Sequence, residues 1–395
     1  MDPIQNKVIN LLQEIHDICE QLNISYILGG TTAEEAALFG MLPNGRYTAT
    51  VYMTLKDFVQ FREYVNSNRT EDRVVEGMDN NSRFPGFYFH YVDKNTTYYN
   101  YNYGDSYKCN GIHVKITILK KFSNSKKIKK LIQKEKSFSF NCYKYNRKLS
   151  AKNRCRKFFM GIRLLFARRS IATNIYNKSM KAYMEDKSFV MNYGILDGKK
   201  AKLIKYPSYL LTGRTEAELC GHTFYVPQNI EIHIKLIMGR KPLEKLPEQI
   251  NNTTVVVSDI IPYEEYMTDM KERSRIAKLR QSIRRNDKMH GAVTYFIRKD
   301  WKIMECVNAR LDLIKEYLPL KEQLIEAYQK GDFEKLTELL VNYDEQARQH
   351  LSQTGMSIYF DKEIFDIYLV WLGKNHGAKI ASKMRKSVPE EWKKG

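Results

Sequence analysis

The sequence lacks several features that would mark it as a membrane, secreted or metal-rich protein. Its 395 residues contain no apolar run of about 18 residues, so no transmembrane helix is expected. No basic and then apolar leader opens the chain, so no secretory signal is expected. The six cysteines are scattered, with no Cys-x-x-Cys pair and no histidine pair at zinc spacing. We therefore expect reduced, metal-free thiols and a cytoplasmic protein.

Acidic residues are nearly absent from residues 120–169. This segment contains 18 Lys or Arg and one acid, Glu135, so it carries 17 of the 20 net positive charges. The remainder of the chain is close to neutral. Because the charge is concentrated, we expect one basic face rather than a basic coat over the whole protein. A polynucleotide is therefore not the expected partner.

Residues 156–169 have the pattern of a basic amphipathic helix. Bulky apolar residues alternate there with cations, and the cations expected to make a contact are Arg156, Lys157, Arg163, Arg168 and Arg169. Such a helix suits an anionic membrane surface, which would make the protein peripheral on the inner face of the membrane. It equally suits an anionic glycan, or a solvated helix whose Phe and Leu pack inward. The sequence leaves these three alternatives open.

Residues 24–39 predict a strand, a glycine turn and a helix. The β-prone run ends in Gly29 and Gly30, and a good helix former follows, with Thr31 or Thr32 available as N-cap. In the nucleotidyltransferase fold, whose opening this order of elements resembles, such a Gly-Gly turn lets backbone N–H groups approach a nucleotide phosphate. These four residues are therefore the candidates for nucleotide binding, together with an arginine that follows the helix, Arg46.

A second strand is expected at residues 46–53, after a Pro-Asn-Gly turn, and Thr54 then opens another helix. Strand, Gly-Gly-Thr, helix and second strand, in this order, resemble the opening of the nucleotidyltransferase fold. There the second strand normally carries an acid-x-acid pair that holds Mg²⁺ against the phosphate. In this chain Thr48 and Thr50 occupy the two places.

A further strand is expected at residues 111–119, because apolar and other side chains alternate strictly. In the same fold a third carboxylate usually lies on such a strand, and here the candidate position is Lys115. Between the two strands, residues 84–107 are rich in tyrosine and predict two short strands. The tyrosines either form a stacking platform for a base or sugar, or cover the sheet, and the sequence leaves both interpretations open.

Several segments, in order, resemble the LicD family, the bacterial relatives of the fukutins. The opening match is ISYILGGTTAEEAALFGMLP, residues 24–43. The closing match is LCGHTFYVPQNIEIHIKLIMGRKPLEKLP, residues 219–247. Between them, 111–119 lies where the family has a Gly-Ile strand bearing an Asp. Smaller matches, all between the opening and closing segments, are Asp57, Phe58, Phe61, Asp93, Thr96 and Thr97. The resemblance covers roughly residues 7–250.

This resemblance implies a nucleotidyltransferase-like fold with helical decoration. It implies transfer of a phospho-group, such as phosphocholine from a CDP-activated donor, onto a cell-surface glycan such as a lipopolysaccharide or teichoic acid. It also implies Mg²⁺ held by aspartates. The expected fold class is therefore α/β (α+β), a small mixed sheet with helical decoration and an α-helical C-terminal region.

The chain departs from the family where that chemistry lies, because the three metal-facing acids are replaced by Thr48, Thr50 and Lys115. The site would hold a charge of about +1 instead of about −3, and like charges about 4 Å apart repel by several kcal/mol at an effective dielectric near 20. Mg²⁺, expected for the family, is therefore disfavoured here, and no metal ligand is assigned.

Three functions follow from these residues. The first is a pseudoenzyme that keeps the fold, binds a nucleotide or glycan and serves a partner enzyme. The second is a metal-independent phosphotransferase in which Lys115 replaces the metal with help from Arg46. The third is an RNA-binding nucleotidyltransferase relative, against which the confinement of charge to one segment argues. We favour the first, and whether the chain is an enzyme stays open.

Four regions are expected along the chain. They are a nucleotidyltransferase-like core at 1–120, a basic helical insert at 121–184, a closing segment packed on the core at 185–258, and a helical C-terminal domain at 259–395.

Overall fold

A computed structural model describes residues 2–68, 71–100, 103, 106–121, 126–142, 151–182, 189–193, 202–250, 255–260, 262–264, 309, 310, 312–354 and 357–388. The chain divides into two compact units, Met1–Tyr263 and Glu264–Gly395. The first unit combines helices with a sheet, and the described part of the second is helical. The predicted combination of helices and strands, with a small mixed sheet, is confirmed.

The first unit is built from the following elements. Its helices are α1 (Pro3–Gln21), α2 (Gly30–Phe39), α3 (Leu55–Ser67), α4 (Lys126–Cys142), α5 (Ala151–Ala182), α6 (Tyr209–Thr212) and α7 (Ile230–Met238). Its strands are β1 (Tyr26–Leu28), β2 (Thr48–Thr54), β3 (Arg73–Glu76), β4 (Phe89–Asp93), β5 (Thr97–Asn100), β6 (His113–Lys121), β7 (Phe189–Tyr193), β8 (Lys202–Tyr206), β9 (Thr215–Leu219), β10 (His222–Val226) and β11 (Val255–Ser258).

The central sheet has the order β1-β2-β6-β4-β3, with β7 attached to β6 and β8 to β7. Strands β2 and β6 are parallel, and the other neighbours in this sheet are antiparallel. Two further pairs, β9 with β10 and β5 with β11, are antiparallel. The strands expected at 46–53 and 111–119 are confirmed as β2 and β6, each beginning two residues later than predicted.

The helix starts follow local capping chemistry where the sequence supplies a side chain for it. Asp2 accepts a hydrogen bond from the Ile4 N–H at the start of α1. The helix start predicted at Thr54 is confirmed: Asp57 N–H donates to Thr54 Oγ1, and the Thr54 hydroxyl donates to the Asp57 carboxylate, as in a capping box. Both devices satisfy N–H groups that the helix itself leaves without a partner.

The predicted start of α2 is wrong. The helix begins at Gly30, its N-cap is Gly29, and no side chain caps it. Thr31 and Thr32 therefore lie inside the first turn rather than at the cap. The Thr32 hydroxyl instead accepts a hydrogen bond from the Thr50 N–H at 3.1 Å. That long-range bond, which ties α2 to β2, replaces the local cap that the sequence suggested.

The main core of this unit lies between the inner face of the sheet and helices α1 and α3. Apolar positions of β2 and β6 alternate into it, as the period of two predicts, among them Val51, Val114 and Ile116. The β9–β10 hairpin contributes Phe224 and Val226 to the same core. The segment that resembles the family's closing motif thus packs on the sheet.

The described part of the second unit is an assembly of helices around its own core. These are α8 (Lys321–Gln329), α9 (Phe333–Thr354), α10 (Lys362–His376) and α11 (Ala378–Arg385). Buried aromatic side chains such as Tyr343, Tyr368 and Trp371 fill its centre. The helical pattern expected from residue 259 onward falls partly on 265–308, outside the described residues. Across the parts of both units that the structure describes, no helix has the length and apolarity to cross a membrane.

Candidate functional site

Pairing of three strands places the predicted site residues on one face of the sheet. In the parallel β2–β6 pair, Thr48 lies opposite His113 and Thr50 opposite Lys115. In the antiparallel β4–β6 pair, His90 lies opposite Lys115. Because alternate residues of a strand share a face, these five side chains stand together. We call this group the threonine–lysine face.

Lys115 provides the positive charge of the threonine–lysine face. Its side chain is half-buried, and its Nζ lies 4.4 Å from the centre of the Tyr88 ring, a cation–π contact. Burial lowers the pKa of Lys115. Within the described residues, Lys115 forms no ion pair with a carboxylate. The face therefore offers a partly desolvated ammonium group to an anion.

The two histidines of the face are neutral at physiological pH. Their rings stack with centroids 3.9 Å apart. Burial lowers the pKa of His113 to about 4 and that of His90 well below its ordinary value, and the nearby Lys115 charge lowers the His90 pKa further. His113 Nδ1 lies 3.0 Å from the Gly111 carbonyl oxygen, so Nδ1 carries the proton and donates. Neither histidine was among the predicted site residues, although strand alternation along 111–119 puts His113 on the same face as Lys115.

Tyrosines cover the two histidines of the threonine–lysine face, whereas Thr48, Thr50 and Lys115 are half-buried. Tyr98 contacts the His113 ring edge-on at 4.9 Å and hydrogen-bonds with the Thr48 hydroxyl, while burial raises the pKa of Tyr98 to about 12. The hydroxyls of Tyr88 and Tyr107 lie 3.1 Å apart. Because these rings contact each other and the histidines, their geometry favours covering of the sheet over an open stacking platform. Four neighbouring positions, 101, 102, 104 and 105, lie outside the described residues.

The Gly29-Gly30 turn is explained by packing. A Cβ at Gly29 would lie 2.6 and 2.7 Å from ring carbons of Tyr52, so no larger residue fits beneath that ring. Gly30 has a φ of +56°, a conformation that favours glycine. The Thr32 hydroxyl is engaged by Thr50, and Thr31 is half-buried. These four residues shape the junction between β1, α2 and β2.

We expect Gly29→Ala to lower the free energy of unfolding by about 1–3 kcal/mol, because the added methyl group forces Tyr52 to move. The φ of Gly29 is −121°, which alanine adopts freely, so the clash is the whole cost. In a Tyr52→Leu background the same change is expected to cost less than about 0.5 kcal/mol. An equal cost in both backgrounds would show that Tyr52 is not the reason for the glycine.

Arg46 is held by a buried carboxylate. Its Nε and Nη2 donate to Glu35 Oε1 at 2.9 and 2.5 Å. Burial raises the pKa of Glu35 to about 7, although the Arg46 charge opposes that rise. The guanidinium is thus engaged on α2 and is not poised to bind a phosphate in this conformation. The neighbouring acid, Glu34, is fully buried and accepts two hydrogen bonds from Arg240 at 2.7 and 2.6 Å and one from the Leu243 N–H.

These two ion pairs, Arg46 with Glu35 and Arg240 with Glu34, were not among the sequence predictions. The available signal was a pair of adjacent acids within an otherwise apolar helix, since buried carboxylates require partners. Both carboxylates are directed to arginines rather than to the threonine–lysine face. No group of three or more potential metal-ligating side chains occurs among the residues that the structure describes.

The raised pKa of Glu35 predicts a pH-dependent stability. Between the unfolded value near 4.3 and about 7, the folded state binds more protons than the unfolded state, so stability falls as pH rises through this window. We expect the wild type to lose about 1–3 kcal/mol relative to Glu35→Gln between pH 4.5 and pH 8. Denaturation at several pH values measures it, and the exposed Glu248→Gln is the matched control. Parallel pH profiles for wild type and Glu35→Gln would contradict the assignment.

The predicted contact residues of the basic helix lie on α5. Arg163 and Arg169 are exposed and Arg168 is half-buried. Arg156 and Lys157 lie on the helix, but their side chains are outside the described residues.

No family model matches this chain, and no curated protein matches it. The resemblance to the LicD family therefore rests on the sequence segments alone.

Proposed function

We propose that this chain is a LicD-type protein of cell-surface glycan decoration that has lost metal-dependent transfer. It binds the phosphate of a CDP-activated donor, or a phosphorylated glycan, without Mg²⁺ and serves a partner enzyme. The observation that carries this proposal is the threonine–lysine face, where strand pairing aligns Thr48, Thr50 and Lys115. These are the positions at which the family resemblance places the metal-binding acids.

The arrangement of the surrounding elements supports a nucleotidyltransferase-like core. A strand, a glycine turn and a helix lead into β2, and β2 pairs in parallel with β6. Two neighbouring strands of this kind can present acids one residue apart and a third acid beside them. Here the same positions present two hydroxyls and an ammonium group. The order and pairing of these elements are consistent with the family, but the charge at the three positions is positive where the family's is negative.

Mg²⁺ does not fit these residues. The ion requires several oxygen ligands in octahedral geometry, usually with one or two carboxylates. The threonine–lysine face offers hydroxyls, of which that of Thr48 is bonded to Tyr98, and a cation. The nearby buried acids Glu34 and Glu35 are neutralised by arginines. An anionic phosphate suits the Lys115 ammonium, whereas a divalent cation is repelled by it.

The test is calorimetric titration of CDP-choline and a panel of CDP- and UDP-linked donors, with Mg²⁺ and then with EDTA. We expect binding that is indifferent to Mg²⁺, that weakens at least about tenfold in Lys115→Met, and that is unchanged in the exposed control Lys56→Met. Because burial lowers the pKa of Lys115, affinity should also fall as pH rises through that pKa and the ammonium is lost. Binding that requires Mg²⁺, or no binding in either buffer, would refute the proposal.

A metal-independent phosphotransferase is the second candidate, favoured by the lysine standing beside Thr50 in register. This candidate differs from the pseudoenzyme only in that the protein itself transfers the phospho-group from the donor. If the wild type releases CMP from CDP-choline in EDTA and Lys115→Met does not, the chain is an enzyme. The three acids of the family can be restored together by Thr48→Asp, Thr50→Asp and Lys115→Asp. If the fold is that of the family, this triple variant is expected to bind the CDP-linked donor only with Mg²⁺.

A further inference from the structure

Helix α5 exposes a row of large apolar side chains to solvent. Phe158 and Phe159 are 65% and 66% exposed, and Leu165 and Phe166 are 79% and 88% exposed. Ile162 lies between them and is 40% exposed. We call these five side chains the apolar ridge. The alternative in which the Phe and Leu of this helix pack inward is therefore wrong for the ridge. Leu164, by contrast, is buried.

The apolar ridge is continuous along one side of the helix. At about 100° per residue, positions 158, 159, 162, 165 and 166 fall within a sector roughly 120° wide. Arg163 projects beside one border of that sector, and Arg168 and the exposed Arg169 follow the ridge along the chain, after a break in helical geometry at Ala167. An apolar stripe bordered by cations is the arrangement of helices that lie in a membrane interface.

A cleft beneath the ridge extends the apolar surface into the protein. It has a volume of about 560 Å³ and lies between α4 and α5, near a break in helical geometry at Ala167. Its apolar lining includes Leu131, Phe138 and Ile175, and Ile162 and Phe166 of the ridge also line it. Lys134, Arg163 and Lys178 add cations to the lining. Such a cleft suits a hydrocarbon chain joined to an anionic head group.

We propose that α5 docks on an anionic phospholipid bilayer. The apolar ridge inserts at the boundary between head groups and acyl chains, the flanking arginines contact lipid phosphates, and the cleft receives one acyl chain. The 17 net positive charges of residues 120–169 complement the negative surface of such a bilayer. This inference is independent of the function of the threonine–lysine face.

The ridge distinguishes a bilayer from a soluble polyanion. An anionic glycan or RNA binds cations and stacks its sugars or bases on aromatic rings, but it has no apolar interior to receive Ile162 and Leu165 beside those rings. Removing a large apolar side chain from water is worth about 1.5–3 kcal/mol when burial is complete. A surface that combines four mostly exposed side chains of this kind with flanking arginines therefore favours a partner with an apolar interior and an anionic surface.

The experiment is flotation of the full chain with vesicles of phosphatidylcholine alone or with added phosphatidylglycerol. We expect binding that needs the anionic lipid. The combined variant Phe158→Ser, Phe159→Ser, Leu165→Ser and Phe166→Ser is expected to bind at least about tenfold more weakly. The matched control is Val341→Ser with Val370→Ser, which removes exposed apolar side chains of α9 and α10 and should bind as the wild type does. Far-UV circular dichroism checks that each variant is folded.

Depth of insertion is measured with Phe166→Trp and lipids brominated in their acyl chains. The three native tryptophans lie after residue 263, so the difference from wild type reports on the ridge. We expect bromine quenching of the added fluorescence and little quenching by aqueous iodide. If the serine variant binds as tightly as wild type, or a soluble polyanion competes fully and no bromine quenching occurs, the ligand is a glycan or a nucleic acid and the proposal is wrong.

Discussion

Arg240→Ala is expected to lower the free energy of unfolding of the first unit by about 3–5 kcal/mol. Glu34 has no solvent-exposed side-chain surface, and both its oxygens accept hydrogen bonds from the Arg240 guanidinium. Removing the arginine leaves a buried carboxylate with the Leu243 N–H but without a compensating charge. The loss of one partner of a buried ion pair costs far more than the pair itself contributes.

Measurement of this effect must report on the unit that contains Glu34. All tryptophans lie beyond residue 263, so tryptophan fluorescence follows the other unit. Cys19 is fully buried in the core of the first unit, and burial raises the pKa of its thiol, so it is shielded from alkylation while that unit is folded. Alkylation of Cys19 across a denaturant series, read by mass spectrometry, gives the unfolding free energy.

Two comparisons separate the buried charge from general effects of the substitution. The exposed neighbour Lys241→Ala should change stability by less than about 0.5 kcal/mol. Adding Glu34→Gln to Arg240→Ala should restore part of the loss, because the orphaned charge disappears. If Arg240→Ala costs no more than Lys241→Ala, the ion pair does not satisfy a buried charge in solution.

The parts of the fold that sequence reasoning predicted are those fixed by local chemistry. Alternation along 111–119 fixed both faces of β6, and Thr54 with Asp57 fixed the start of α3. Strand alternation also grouped Thr48 with Thr50 and put Lys115 on the non-core face. Parallel pairing of β2 with β6 then aligned Thr50 and Lys115 opposite each other.

The parts that could not be predicted depend on partners distant in the sequence. Arg240 lies 206 residues from Glu34, and nothing local to α2 points to it. The Thr32 hydroxyl was assigned to a local cap, but a backbone group of the next strand competes for it. The exposure of Phe166 likewise depends on which side of α5 packs against α4, so the amphipathic pattern alone left three alternatives open.

Gly111→Ala is expected to lower the stability of the first unit by at least about 3 kcal/mol. An added Cβ would lie 2.9 Å from the carbonyl carbon of Asp93 and closer still to its oxygen, and 2.9 Å from Val92 Cγ1. These atoms belong to the end of β4, where Asp93 N–H donates to the Ile112 carbonyl. Backbone cannot move aside as a flexible side chain does, so the methyl group separates β4 from β6.

The same substitution is expected to disturb the threonine–lysine face, because Gly111 O accepts the hydrogen bond that orients His113 and because β4 carries His90 opposite Lys115. Cys19 alkylation measures the stability, and donor titration at a temperature where the variant is folded measures the site. Gly161→Ala is the matched control. Apart from the helix's own backbone and the two adjacent residues, nothing lies within 4 Å of its added Cβ, and helix propensity predicts a gain of up to about 1 kcal/mol. If Gly111→Ala is as stable as Gly161→Ala, β4 does not approach Gly111 closely. The alignment of His90, His113 and Lys115, on which the proposed phosphate site depends, would then also be wrong.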